Sequence, residues 1–267
     1  MKYGLNLPTF DRMADPRLLA ELAAEAEAAG WDGVFVWDHV YYRDPARAAT
    51  DPWMALAAMA TTTSAVALGP MVTPLARRRP HIVARQLVAL DQLANGRVIL
   101  GTGLGLDGSG GEFIRFGEVE DIRQRAEMYD EALDLLRALL SGEPVDHRGT
   151  YFTASDVRFL PRPVQSELPV WIAARWPNRR PLDRAAKNQG AFIIDLEKPA
   201  DLATACAYLE ERRSGSLDSF DVVVQRPAGD DPEPWREAGA TWWLAAFDPF
   251  SVTPEDVRVA IYERPGR

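Results

Sequence analysis

The chain has 267 residues, 47% of them hydrophobic and 26% charged, with 30 Lys and Arg against 39 Asp and Glu and a formal net charge of −9 at pH 7. That composition is ordinary for a globular protein with a substantial core; it offers no run of about 18 apolar residues for a membrane span and no basic surplus for a nucleic-acid backbone. The single cysteine, Cys206, excludes an internal disulfide and a cysteine-rich zinc site, and the first residues read as strand rather than leader, so a cytoplasmic protein with small-molecule partners is expected.

In chain order, apolar β-rich runs occur at residues 2–7, 33–37, 66–73, 97–103, 169–173, 191–194, 220–225 and 241–247. Most are continuous rather than alternating, as in parallel strands covered on both faces. Helical patterns separate them. Leu18, Leu22, Ala26 and Ala29 share one stripe, and Ile122, Ala126, Leu133, Leu136 and Leu140 share another, on which Tyr129 reads as core. Helix starts are marked by Asp15-Pro16, Asp51-Pro52, Asp231-Pro232 and Thr253-Pro254, where a side-chain oxygen caps free amides and proline occupies the first turn. Gly30, Gly96 and Gly142 close helices at the other end, and Cys206 falls on the apolar face of a helix, as core filler. Eight strands alternating with helices predict one domain over residues 1–267, an α/β protein of the (β/α)₈ TIM-barrel class. The segment 230–239 leaves a short seventh helix, and the glycine-rich 104–119 reads as a mobile loop over one end of the barrel.

In such barrels chemistry gathers at the carboxyl ends of the strands. Those ends read Leu5-Asn6-Leu7, Trp37-Asp38-His39, Met71-Val72-Thr73-Pro74, Gly103-Leu104-Gly105 and Ala173-Ala174-Arg175-Trp176. The run GVFVWDHV, a buried strand ending on a carboxylate and an imidazole, therefore places Asp38 and His39 at the active face. Imidazole titrates near neutral pH and suits a general base. Asp38 either orients that ring or caps the next segment. Three arginines, Arg175, Arg179 and Arg180, follow the fifth strand without a glycine among them, and guanidinium groups there can replace backbone amides in holding a phosphate. Arg77, Arg78 and Arg79 either add to that charge or form a solvated face.

The stretches AEAAGWDGVFVWDHV, VALGPMVTPLARRRPHIVARQLVALDQLANGRVILGTGLG and FGEVEDIRQRAEMYDEALDLLRALLSG resemble the bacterial-luciferase-like flavin-dependent oxidoreductases, strongly over residues 1–159 and loosely beyond. The resemblance implies a flavin ring lying across the strand ends. Its wider membership puts FMN first, used with oxygen and a partner flavin reductase in a luciferase-like monooxygenase, and the deazaflavin coenzyme F420 as the alternative, in a dehydrogenase or reductase. It also implies a small organic substrate and a homodimer. Position by position it implies that His39 is the acid or base near the reactive face, that Glu112 donates a proton or holds the loop, that Val72 and Thr73 form a non-prolyl cis peptide behind the ring, and that Asn6, Asp38, Gly103, Leu104, Arg125, Ala174, Arg175, Trp176 and Arg179 surround the cofactor. Leu104 stands where FMN-using relatives often carry an arginine or another polar residue.

Three other readings compete. Gly103, Gly105 and Gly108 spell the dinucleotide-binding G-x-G-x-x-G, but a long loop follows them instead of a helix. A metal-dependent hydrolase would gather several histidines, whereas His81 and His147 lie apart from His39 in the sequence pattern, so no metal is expected. A barrel that binds flavin weakly and catalyses nothing is the third.

Overall fold

The structure is a computed structural model that describes residues 1–105 and 111–263. Its strands are β1 (Lys2–Leu7), β2 (Gly33–Val36), β3 (Ala67–Pro70), β4 (Thr73–Pro74), β5 (Leu100–Gly103), β6 (Pro144–Arg148), β7 (Thr153–Arg158), β8 (Val170–Arg175), β9 (Gly190–Ile194), β10 (Asp221–Pro227) and β11 (Trp242–Ala246). Its helices are α1 (Pro16–Ala28), α2 (Pro52–Thr62), α3 (Pro80–Leu93), α4 (Glu112–Arg115), α5 (Ile122–Leu140), α6 (Arg179–Ala185), α7 (Pro199–Arg212), α8 (Glu233–Glu237) and α9 (Pro254–Tyr262).

One parallel sheet runs in the order β3-β2-β1-β11-β10-β9-β8-β5-β4, so the first and last strands of the chain are neighbours. β3 and β4 sit at its two ends and are successive pieces of a single stave, interrupted at Met71 and Val72. The bridge between Leu68 and Val98 closes the ring, which makes an eight-staved barrel. The sequence reading expected one strand over 66–73; the chain breaks pairing there, and the peptide joining Met71 to Val72 is cis. That bond lies one residue before the pair Val72-Thr73 to which the resemblance assigned it. The antiparallel hairpin of β6 and β7 was also unforeseen. Its strands are largely exposed and carry few apolar residues, so no two-residue hydrophobic period announces them.

The helices start as the sequence indicates. Asp15 accepts from the Arg17 amide, Asp51 from that of Met54, and Thr253 forms a reciprocal capping box with Asp256, each cap contributing about 1 kcal/mol. Among the described residues no helix is long and apolar enough to cross a membrane. Cys206 is buried on α7, and burial pushes its thiol up to about 12.

Two layers of core result. The larger lies between strands and helices. The smaller fills the barrel itself, with Phe35, Trp171, Phe192, Val223, Trp242 and Leu244 packed together. At its lower end Trp171 and Trp242 donate their indole N–H groups to Asp221 at 3.0 and 3.1 Å, so the inner plug is hydrogen-bonded as well as packed. The plug fills the barrel beneath its upper mouth, at the carboxyl ends of the strands.

Candidate active site

At that mouth lies a cavity of about 790 Å³, within the range of cofactor and ligand sites. Its floor is apolar: Val72, Ala173, Phe192 and Ile194 face it from the strand ends. Gly103 keeps this floor flat, since a Cβ there would lie 3.0 Å from that of Ala173 and 3.4 Å from Val72 Cγ2.

His39 stands on one wall. β2 is buried over its whole length and carries the chain to the mouth, where Trp37, Asp38 and His39 leave the sheet. The imidazole Nδ1 is 2.9 Å from Glu112 Oε1, and the other carboxylate oxygen accepts the Val40 N–H at 3.0 Å. With the proton on Nδ1, His39 donates to Glu112, and Nε2 has no protein partner among the described residues. Burial raises the Glu112 pKa, but the hydrogen bond and charge of His39, then the Arg77 guanidinium and the Val40 amide, outweigh it and hold the carboxyl below its ordinary value.

Asp38 does something different from either role expected of it. It is 1% exposed and touches the cavity, yet its carboxylate turns away from His39 and accepts from Thr73 Oγ1 at 2.7 Å, Trp53 Nε1 at 3.1 Å and Arg78 Nη2 at 2.6 Å. Arg77 Nη2 lies 3.3 Å from Asp38 Oδ1 and 3.9 Å from Glu112 Oε1, bridging the two carboxylates. Burial opposes ionisation of Asp38 too, and the charges of Arg78 and Arg77, with the bonds from Arg78 and Thr73, win. Arg77 and Arg78 are thus neither a solvated face nor a cofactor clamp. They balance two buried carboxylates, so the charges of Asp38, Glu112, Arg77 and Arg78 sum to zero beside His39.

The opposite wall is cationic. Arg175, Arg179, Arg180 and Arg184 line it from the segment after β8, and Arg123 from the start of α5. Arg175 pairs with Asp195 at 2.6 Å and Arg184 with Asp130 at 2.6 Å. Arg123, Arg179 and Arg180 form no ion pair among the described residues, so three guanidinium groups remain for an anion. Between the walls, Asn6 donates to Gln225 through Nδ2, while its buried Oδ1 has no partner.

The structure thus brings Asn6, Asp38, His39, Val72, Gly103, Leu104, Glu112, Arg175 and Arg179 to one cavity. Four other expected residues lie elsewhere. Thr73 is buried beneath the site as a donor to Asp38. Arg125 stacks on Phe113 at 3.8 Å and donates to the carbonyls of Val119 and Glu120, holding the loop rather than a phosphate. Ala174 points out of the barrel into the core, because neighbours along a strand face opposite sides and Ala173 faces the cavity. Trp176 lies beside the site, with the Arg179 guanidinium 5.0 Å from its ring. Gly108, the third glycine of the dinucleotide-type motif, falls with residues 106–110 of the expected mobile loop outside the described residues, and of the rest of that loop Glu112–Arg115 form α4, with Glu112 and Phe113 buried. Sequence reasoning missed Tyr42, Arg123, Arg184 and Gln225, and took Tyr129 for core alone, although it is buried and also borders the cavity. The signal for Arg184 was its helical spacing, four residues on from Arg180; Gln225, at the end of a predicted strand, was in plain view.

The cavity has the features an isoalloxazine-type ring with a phosphate-bearing side chain requires. A flat apolar floor supports a planar ring, the unpartnered Asn6 Oδ1 can accept from a ring N–H, and uncommitted guanidinium groups stand at one side for the phosphate.

Comparison with known proteins agrees with this geometry. Residues 1–261 match the family described as luciferase-like monooxygenase. An F420-dependent glucose-6-phosphate dehydrogenase of Beutenbergia cavernae is 34% identical over 247 residues, 87% of this chain and 70% of that protein. Among solved structures, an F420-dependent secondary alcohol dehydrogenase in complex with an F420-acetone adduct superposes with a TM-score of 0.80 at 20% identity, covering 98% of this chain and 96% of that one. The coenzyme F420 dependent tetrahydromethanopterin reductase of Methanopyrus kandleri gives 0.79 at 19% identity, with 98% and 97% covered.

Proposed function

We propose, for a chain that belongs to the luciferase-like monooxygenase family and is an oxidoreductase of its flavin-dependent type, that its cofactor is coenzyme F420 and its reaction a hydride transfer between that coenzyme and a carbon bearing oxygen. The observation that carries this reading is the His39–Glu112 pair on the cavity wall, 2.9 Å apart, with Nε2 unencumbered. The deazaflavin ring supplies a two-electron acceptor for hydride.

The chain's residues supply the rest. Glu112 fixes the tautomer, so that Nε2 carries the lone pair that takes the proton of a substrate hydroxyl. As that proton arrives, Glu112 stabilises the imidazolium, and Arg77 keeps Glu112 ionised through the change. In the reductive direction the same nitrogen returns the proton. Asn6 and Gln225 orient polar edges, and Arg123, Arg179 and Arg180 hold the anionic side chain of the coenzyme. Three free cations exceed what the single phosphate of FMN requires, and they suit a coenzyme with further carboxylates. The curated relative, named for F420, points the same way, so the order of preference drawn from the sequence, FMN first, is reversed.

Titrating the purified protein with F420 and with FMN, following the fluorescence of each, tests this. F420 is expected to bind at least about tenfold more tightly, a difference of about 1.4 kcal/mol. Tighter binding of FMN would return the monooxygenase reading with its partner flavin reductase. Binding of neither below about 100 μM, near −5.5 kcal/mol, would favour the non-catalytic barrel.

A further inference from the structure

The cavity is divided by charge, and the division bears on the substrate. Among the described residues every arginine that lines it comes from the end of β8, the segment after it, or the start of α5. In the ring of staves these lie across the mouth from β2, which carries His39. The wall around His39 is built otherwise. Tyr42 stacks on Phe10 with ring centroids 4.5 Å apart, His39 lies 5.1 Å from Tyr42 and 6.2 Å from Trp37, and Phe250 extends the box 5.7 Å beyond Tyr42. The polar groups facing the cavity from β1 and β10 are the neutral amides of Asn6 and Gln225.

Cations close to that wall are turned to other work. Arg43 covers Tyr42 and Phe250 at 5.9 and 5.4 Å and does not line the cavity. Arg226 pairs with Asp230 at 3.3 Å and donates to the Leu196 carbonyl. A phosphate monoester placed with its reacting carbon at His39 would meet aromatic rings, neutral amides and the Glu112 carboxylate. Desolvating a dianion there without a counter-ion is strongly unfavourable, and the arginines across the mouth are occupied by the coenzyme's own anionic chain.

Resting on the oxidoreductase reading above, we infer that the substrate is an uncharged primary or secondary alcohol with an alkyl or aromatic body, or the matching carbonyl compound, and that sugar phosphates are rejected. In the oxidative direction the carbinol C–H bond breaks with its electron pair passing to the coenzyme as hydride. The O–H proton passes to His39 Nε2, and the C=O bond forms. The alcohol loses two electrons and two protons in all: the electron pair and one proton leave together as hydride, and the second proton makes the imidazolium.

The test uses protein loaded with F420, its loading measured first by coenzyme fluorescence, and offers 1-phenylethanol, cyclohexanol and glucose 6-phosphate in separate reactions. Loss of the oxidised coenzyme's absorbance gives turnover, and quenching of tryptophan fluorescence, to which Trp37 in the wall contributes, gives binding without turnover. The uncharged alcohols are expected to show kcat/KM at least about 100-fold above glucose 6-phosphate and to quench tryptophan, while glucose 6-phosphate does neither. Loaded protein that prefers glucose 6-phosphate, or that neither binds nor oxidises the uncharged alcohols, overturns the inference and leaves the cofactor assignment standing. Protein that takes up no F420 at the first stage overturns both.

Discussion

At the scale of single residues, one imidazole is held by a carboxylate 73 positions further along the chain. Exchanging His39 for alanine is expected to lower kcat by about 10²–10⁴-fold while the F420 dissociation constant stays within about threefold, measured by single-turnover kinetics and fluorescence titration. Glu112→Gln retains an oxygen for Nδ1–H but no charge to stabilise the imidazolium. It should cost about 10²-fold in kcat and displace the pH–rate profile, which a purely structural role would not do. The sequence announced both residues, since a histidine at a strand end and an acid in a glycine-rich loop are unusual placements. It did not announce that they touch, or that Asp38, adjacent to His39, faces the other way. Successive side chains at a strand end point in opposite directions, and the consecutive Arg77 and Arg78 look solvated until the structure folds them onto Asp38. Because that carboxyl is held below its ordinary value of 3.8, it contributes stability above that pH, and the contribution disappears as pH falls through the depressed value.

At the scale of elements, the strands carrying the site are set by contacts only glycine permits. A Cβ on Gly69 in β3 would lie 1.8 Å from the Ile99 carbonyl oxygen, and one on Gly101 in β5 would lie 2.4 Å from that of Pro70. Gly69→Ala must therefore push β3 and β5 apart, and a loss of about 3 kcal/mol is expected in urea unfolding, with weakened cofactor binding because Met71 and Val72 follow directly. The strands were legible as elements because each is short, apolar and bounded by turn residues. Their edges were less so: the third stave is interrupted at Met71 and Val72, and the hairpin of β6 and β7 lies outside the barrel, where hydrophobic burial leaves little imprint on the sequence. The same holds for α5, whose start, read as part of the buried stripe, leaves Ile122 56% exposed beside the cavity.

At the scale of the whole molecule, a chain with net charge −9 sets three arginines that form no ion pair among the described residues on one side of one opening. Overall repulsion of an anionic coenzyme is thereby offset by a local attraction that salt screens. Raising NaCl from about 50 mM to about 500 mM, which shortens the screening length from roughly 14 to roughly 4 Å, is expected to weaken F420 binding by about tenfold, and Arg179→Gln with Arg180→Gln should remove most of that dependence. Binding that strengthens with salt would contradict the assignment of that wall. Barrel, mouth and charge asymmetry were all visible in composition and periodicity. The partition of the cavity into a cationic and an aromatic half was not, because it depends on which staves face each other across the ring.

The tryptophans tied to Asp221 at the base of the barrel have a kinetic corollary. With the lower end sealed, reactants and products share a single doorway, and whatever lies deepest must arrive first and depart last. A coenzyme spread over the apolar floor would then be resident while successive alcohol molecules exchange above it, and traffic through the doorway, as much as bond-breaking, would set the pace of turnover.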